Sequence, residues 1–169
     1  MVMAHNPDEQ GLPCAFCILP NKKQSTYELM LNLIKEKVGP DSGPSTIVID
    51  FELAMVNAVR AVFPDTKQLG CQFHFRSAIW KNVGLKHLQS FFYTNVDFQE
   101  LIYKLYALAY IPTDDLYQVY KEQIVAIITR KLAEKTGDPE WQVLEEEINQ
   151  FGTYFLNTWI GRQVCTLNM

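Results

Sequence analysis

Thr46-Ile47-Val48-Ile49 runs straight into Asp50-Phe51-Glu52. The four leading residues all branch at Cβ, which favours extended backbone. A run with so little polar alternation suits a strand covered on both faces of a parallel sheet. Behind it Leu53, Val56, Val59, Val62 and Phe63 fall at helical spacing, and Pro64-Asp65 closes the pattern. A strand feeding a helix makes this part of the chain α/β. Asp50 sits at the junction, the carboxyl end of a strand, which is where ligands bind in open α/β sheets.

Upstream, Gly11 to Leu19 form an apolar run closed by Pro20-Asn21, consistent with a buried strand. Met1 to His5 can pair with it through a turn at Asn6-Pro7-Asp8. Ser25 and Glu28 have capping-box spacing ahead of a helix that places Tyr27, Met30, Leu31, Ile34 and Val38 on one face and ends at Gly39-Pro40. Downstream, Lys67 to Cys71 is a short strand candidate and Phe75 to Lys81 the start of a helix.

From Asp97 the pattern is helical only. Asp97 and Glu100 have the second capping-box spacing, with Phe98, Leu101, Ile102, Leu105 and Leu108 on one face. Ile111-Pro112 breaks that helix, and Thr113 can cap the next, which buries Leu116, Val119, Tyr120, Ile124, Ile127 and Leu132. Gly137-Asp138-Pro139 gives a stop, a cap and a proline at the first helical position. Trp141, Leu144, Ile148, Phe151 and Phe155 then face inward. The expected organisation is a mixed-sheet part over residues 1–88 and an all-helical part over 89–169, within one structural unit.

The chain has 169 residues, 48% hydrophobic and 20% charged, the composition of a folded protein with a core of its own. The net charge is −4 and the pI about 5.4. A self-sufficient DNA-binding module carries a basic excess, so nucleic-acid contact here must be local. The first residues are too polar for a signal peptide, and no apolar run reaches the ~18 residues of a membrane span. Four cysteines, Cys14, Cys17, Cys71 and Cys165, do not read as a secreted disulfide framework. A reducing compartment, cytosol or nucleus, follows as the default.

The residues that could carry chemistry each have two readings. Asp50 can hold Mg²⁺, a hard cation that takes oxygen ligands, or can cap the helix that starts near Glu52. Glu52 itself reads as a solvated partner of the helix dipole. Cys71-Gln72-Phe73-His74 is a C-x-x-H pair that, with Cys14 and Cys17, would complete a Cys₃His zinc set. Strand geometry argues against that set, because residues three apart on a strand point to opposite faces. His74 reads instead as packed at the base of its helix. Arg76, Lys81, Lys86 and His87, interleaved with Phe75 and Trp80, form either a phosphate-facing patch or a solvated helix face. Tyr103, Tyr106, Tyr110, Tyr117 and Tyr120 could stack bases, but their helical spacing favours core and rim packing.

Several of these pieces resemble one family when taken in order. They are Leu12-Pro13-Cys14-Ala15-Phe16-Cys17-Ile18-Leu19-Pro20-Asn21-Lys22, Thr26-Tyr27, Ile47-Val48-Ile49-Asp50-Phe51-Glu52 with Ala54, Asn57-Ala58, Val62-Phe63-Pro64, and Cys71-Gln72-Phe73-His74-Phe75. Their order and gaps resemble the transposase domain of Mutator-like (MULE) elements. Leu105 with Leu108-Ala109-Tyr110-Ile111-Pro112, and Phe151 with Tyr154-Phe155 and Thr158-Trp159-Ile160-Gly161, resemble the helical region that follows in animal members.

The resemblance implies a ribonuclease-H-like DDE fold in which two Asp and one Glu hold two Mg²⁺ or Mn²⁺ ions for DNA cleavage and strand transfer. It implies transposon-end DNA as partner and the nucleus as location. Asp50 matches the second Asp, and Cys71 and His74 match the family's C-x-x-H. The first Asp belongs upstream of Met1–His5, and the final Glu beyond the stretch ending at Asn168-Met169. Asp8, Glu9 and Glu145 to Glu147 match no family motif. The expectation is an incomplete ribonuclease-H-like mixed sheet, its first central strand missing, followed by an all-α segment. The strand halves then separate, pair directly, or await a partner or second copy that completes the sheet. One acid of three is expected not to cut DNA, and no metal to be held by this stretch alone. The alternative is a domesticated, non-catalytic module for binding DNA or protein.

Overall fold

The structure, a computed structural model, describes residues 1–5, 10–39, 43–135 and 137–160. The described residues fall into two compact units, residues 1–47 with 52–68, and residues 48–51 with 69 onward. Among the described residues, four strands and eight α-helices give an α/β fold dominated by helix.

In the first unit, β1 (Val2–His5) pairs antiparallel with β2 (Gly11–Ala15), as the apolar runs predict. The register shifts between Val2 and Met3, beside Pro13, which has no N–H to give the ladder. Strand β2 stops at Ala15 and is not buried: Leu12 and Cys14 are exposed, and Phe16 and Ile18 beyond it are exposed too. The predicted turn at residues 6–8, with Asp8 and Glu9, lies outside the described residues, as does Pro40.

Helix α1 (Gln24–Val38) buries Tyr27, Met30 and Leu31, while Ile34 is half-buried and Val38 exposed. The capping box expected of Ser25 and Glu28 does not form. Lys23 is the cap residue, with no side-chain bond, and Asn21 Oδ1 instead accepts from the Lys23 amide at 3.0 Å and the Thr26 hydroxyl at 2.7 Å. Gly39 ends the helix at φ 113°, a backbone that glycine adopts without steric cost. Helix α2 (Leu53–Val62) lays Val56, Ala58, Val59 and Val62 into this core. Leu53, predicted inward, is 65% exposed. The Lys35 ammonium donates to the Val62 carbonyl at 3.2 Å and lies 5.5 Å from the Phe63 ring centroid.

Strands β3 (Thr46–Ile49) and β4 (Lys67–Gly70) form a second two-stranded sheet. Lys67 N–H donates to Ser45 O at 3.0 Å and Cys71 N–H to Ile49 O at 2.7 Å. These bonds advance in step along both chains, as a parallel pair joined by a crossover helix requires. Among the described residues no ladder links β1–β2 to β3–β4. β3 alternates exposed and half-buried positions, with Val48 60% exposed. The expectation of cover on both faces therefore fails: a continuous apolar run sets the strand, but the neighbours present decide which faces are shielded.

The second unit holds the larger core, built from α3 (Gln72–Leu85), α4 (Gln89–Thr94), α5 (Val96–Ala107), α6 (Thr113–Val119), α7 (Ala126–Glu134) and α8 (Pro139–Phe155). Phe98, Leu101, Ile102, Leu105 and Leu108 are all buried, as their spacing requires. Trp141, Ile148, Phe151 and Phe155 are buried and Leu144 half-buried. Helix α4, which carries Phe91 and Phe92 into this core, has no counterpart among the predicted elements. The Asp97–Glu100 box does not form. Asn95 caps α5, its side chain accepting from Phe98 N–H at 3.0 Å, while Asp97 pairs with Lys131 at 2.7 Å and Glu100 with Lys104 at 2.8 Å. Pro112, not Thr113, holds the cap position of α6. A π-helical turn, Tyr120–Val125, joins α6 to α7, and another, Leu156–Ile160, follows α8. Gly137 takes φ 93° before Pro139 opens α8. The side chain of Leu132, and Gly161, Cys165, Asn168 and Met169, lie outside what is described.

Candidate functional site

Asp50 follows directly on β3 and is half-buried. It is not the cap of α2: that position belongs to Glu52, whose side chain makes no cap bond. Glu52 is instead tied to its own unit. The Tyr27 hydroxyl donates to Glu52 Oε1 at 3.1 Å and Lys22 Nζ to Oε2 at 3.2 Å, so this carboxylate joins α1 and the preceding loop to the start of α2 rather than serving as a solvated dipole partner.

The residue after Asp50 is fixed by aromatic rings. Phe51 meets the Trp159 ring edge-on at 4.8 Å and the Phe75 ring at 6.5 Å, and Phe75 meets Trp159 at 4.7 Å and 90°. Phe75 is wholly buried. Trp159 Nε1 donates to the Tyr154 hydroxyl at 3.0 Å. Burial lifts the Tyr154 hydroxyl pKa above its usual value, and the bonds from Trp159 and Asn82 draw it back. The strand end that carries Asp50 is thus anchored by Phe75 and by Trp159, the latter more than a hundred positions away.

Cys71 lies beside the same strand end through its bond to Ile49 O. It is the cap residue of α3, half-buried, with no side-chain cap bond. α3 begins at Gln72, three residues earlier than the spacing predicts, which places His74 in its first turn. His74 does not pack at the helix base. It is exposed, its ring 5.7 Å from that of Phe73, which is itself exposed.

Cys14 lies in β2, exposed, its thiol donating to Leu12 O at 3.4 Å, and Cys17 lies beyond the strand. Among the described residues, no three or more His, Cys, Asp and Glu stand close enough to hold a metal ion. A two-metal centre needs several carboxylates around both ions, so the described donors do not fit one.

The basic residues disperse. Arg76 is exposed, with its guanidinium 4.7 Å from the Tyr106 ring centroid. Lys81 is exposed. Lys86 donates to Gln150 Oε1 at 2.9 Å and lines an open hollow of about 660 Å³ with Glu145 and Glu146, whose carboxylates disfavour phosphate. His87 serves the backbone, at φ 59°. Of the tyrosines, Tyr120 is buried and stacked on Phe155 at 5.6 Å, Tyr106 is half-buried, and Tyr103, Tyr110 and Tyr117 are exposed.

Compared with known protein families, residues 1–78 match the model of the MULE transposase domain. A partial copy of that domain fits this match. The MULE segment runs from β1 into α3 and includes Asp50, Cys71, His74 and Arg76, while Lys81 and Lys86 lie beyond it. No curated protein and no solved structure matches the chain. No described helix is long and apolar enough to cross a membrane.

Proposed function

We propose that this chain derives from a Mutator-like DNA transposase and that Asp50 is the second of that family's three acids. The observation that carries the reading is the coincidence of three facts at one point. Asp50 lies within the MULE match, it ends a strand paired in parallel with its neighbour, and the alternative role as a helix cap belongs to another residue. In the family architecture Mg²⁺ or Mn²⁺ would supply the Lewis acid for phosphodiester cleavage and strand transfer on transposon-end DNA, in a ribonuclease-H-like DDE domain in the nucleus. These 169 residues contribute one matching acid, and one carboxylate does not grip a metal pair. The chain alone therefore does not cut DNA.

Relaxation of supercoiled plasmid in Mg²⁺ or Mn²⁺ tests this, with the parent chain and Asp50→Ala side by side. The expected outcome is no nicking that depends on Asp50. Manganese-dependent nicking by the parent that disappears in Asp50→Ala would overturn the view that the chain is inert.

A further inference from the structure

The charges of this acidic chain are unevenly spread. Residues 66–96 contain no Asp or Glu and hold Lys67, Arg76, Lys81 and Lys86. Helix α3 lies within that stretch, and beside it the second unit carries a cleft of about 450 Å³ lined by Gln72, Phe73, Arg76, Ser77, Trp80 and Tyr106. Three of the six are aromatic, one is a cation, and none is acidic.

The aromatic faces are held in different ways. Trp80 is half-buried and backed edge-on by Phe92 at 5.0 Å and Tyr93 at 6.1 Å, so its orientation is set before anything binds. Tyr106 is half-buried under the Arg76 guanidinium at 4.7 Å. Phe73 is 73% exposed, a large apolar ring left in water on a charged helix. The Gln72 amide donates to the Tyr110 hydroxyl, which holds the rim polar. A guanidinium stacked on a ring keeps its in-plane donors free, and those donors match a phosphate.

We propose that this cleft binds an unpaired nucleotide of single-stranded DNA, its base stacked among Phe73, Trp80 and Tyr106 and its phosphate paired with Arg76. Stacking needs a base whose faces are open, which a duplex does not offer, and aromatic side chains beside cations are how single strands are held. Arg76, with no acid among the six lining residues, supplies the complementary charge despite the chain's net charge of −4. An acidic peptide would satisfy Arg76 but leave the three rings without planar partners. The site is distinct from Asp50 and holds whether or not the chain cuts DNA.

The test is fluorescence anisotropy with a labelled oligodeoxythymidylate and the full chain at low salt, against a duplex of equal length, with polyglutamate as competitor. Single strand should bind more tightly than duplex. Phe73→Ala and Arg76→Gln should each weaken it about tenfold, in line with the loss of one stacked base or one charge-assisted contact. Both side chains are exposed, and melting curves will show that both variants fold. Asp114→Asn, at an exposed acid of α6 outside the cleft and away from the strand end, should bind as the parent does. Lack of binding, equal affinity for duplex, displacement by polyglutamate, or full affinity in Phe73→Ala would each overturn the proposal.

Discussion

His87 adopts φ 59°, a conformation in which an L side chain crowds its own backbone. Its amide donates to Gly84 O at 3.0 Å and that of Leu88 to Val83 O at 2.9 Å, the paired bonds that close a helix when the residue past the cap turns left-handed. Glycine is the residue this position favours. His87→Gly should therefore stabilise the chain by about 0.5–1 kcal/mol, read as a higher urea midpoint at unchanged slope. A lower midpoint would mean that the imidazole contributes more than the strain costs. In the sequence His87 reads as one more basic residue of a patch, because nothing local says that the chain turns left there. Asn95 shows the same limit. Acids at box spacing, Asp97 and Glu100, drew the cap assignment for α5, but the residue two positions before Asp97 makes the bond, and both acids are taken by lysines.

At the level of elements, the long amphipathic helices were legible. Spacing alone placed Phe98, Leu101, Ile102, Leu105 and Leu108 on the inner face of α5, and Trp141, Ile148, Phe151 and Phe155 on that of α8. Short pieces were not, since a six-residue helix such as α4 spans too few turns to show a period. The anchoring of Phe51 by Phe75 and Trp159 was equally hidden, because it joins a strand end to a π-helical turn at the far end of the described chain. Trp159→Ala should cost about 3–5 kcal/mol, the usual range for deleting a buried aromatic, with Trp159→Phe losing much less. Equilibrium unfolding measures both. A Trp159→Ala chain as stable as the parent would remove these rings from any part in holding the strand that ends at Asp50.

For the whole molecule, the alkaline side should limit stability. Burial raises the hydroxyl pKa values of Tyr106, Tyr120 and Tyr154 above their usual 10.0. The Lys131 ammonium, held by Asp97, is raised above its usual 10.5. Each of these groups keeps its proton more tightly folded than unfolded. Their contribution is thus complete below pH 10 and falls away as the pH climbs through the raised values. Glu100 works at the other end: the Lys104 bond lowers its pKa, so its contribution is present above about pH 4.5 and fades in stronger acid, weakly because the pair is exposed. The melting temperature should drop as the pH rises above 10, and Tyr120→Phe should make that drop shallower. The same slope in both chains would show that Tyr120 does not take part.

The sequence by itself settled the α/β character, the inner faces of α5 and α8, the Asp50 strand end and the MULE resemblance, because these rest on side-chain periodicity and on residue order. It could not settle burial of β3, the role of Glu52, the exposure of His74 or the scattering of Arg76, Lys81 and Lys86. Those depend on which distant surfaces meet: Tyr27 and Lys22 reaching Glu52, Tyr106 under Arg76, Gln150 against Lys86. Periodicity reports which way a side chain faces on its own element, and only the tertiary structure supplies what it faces.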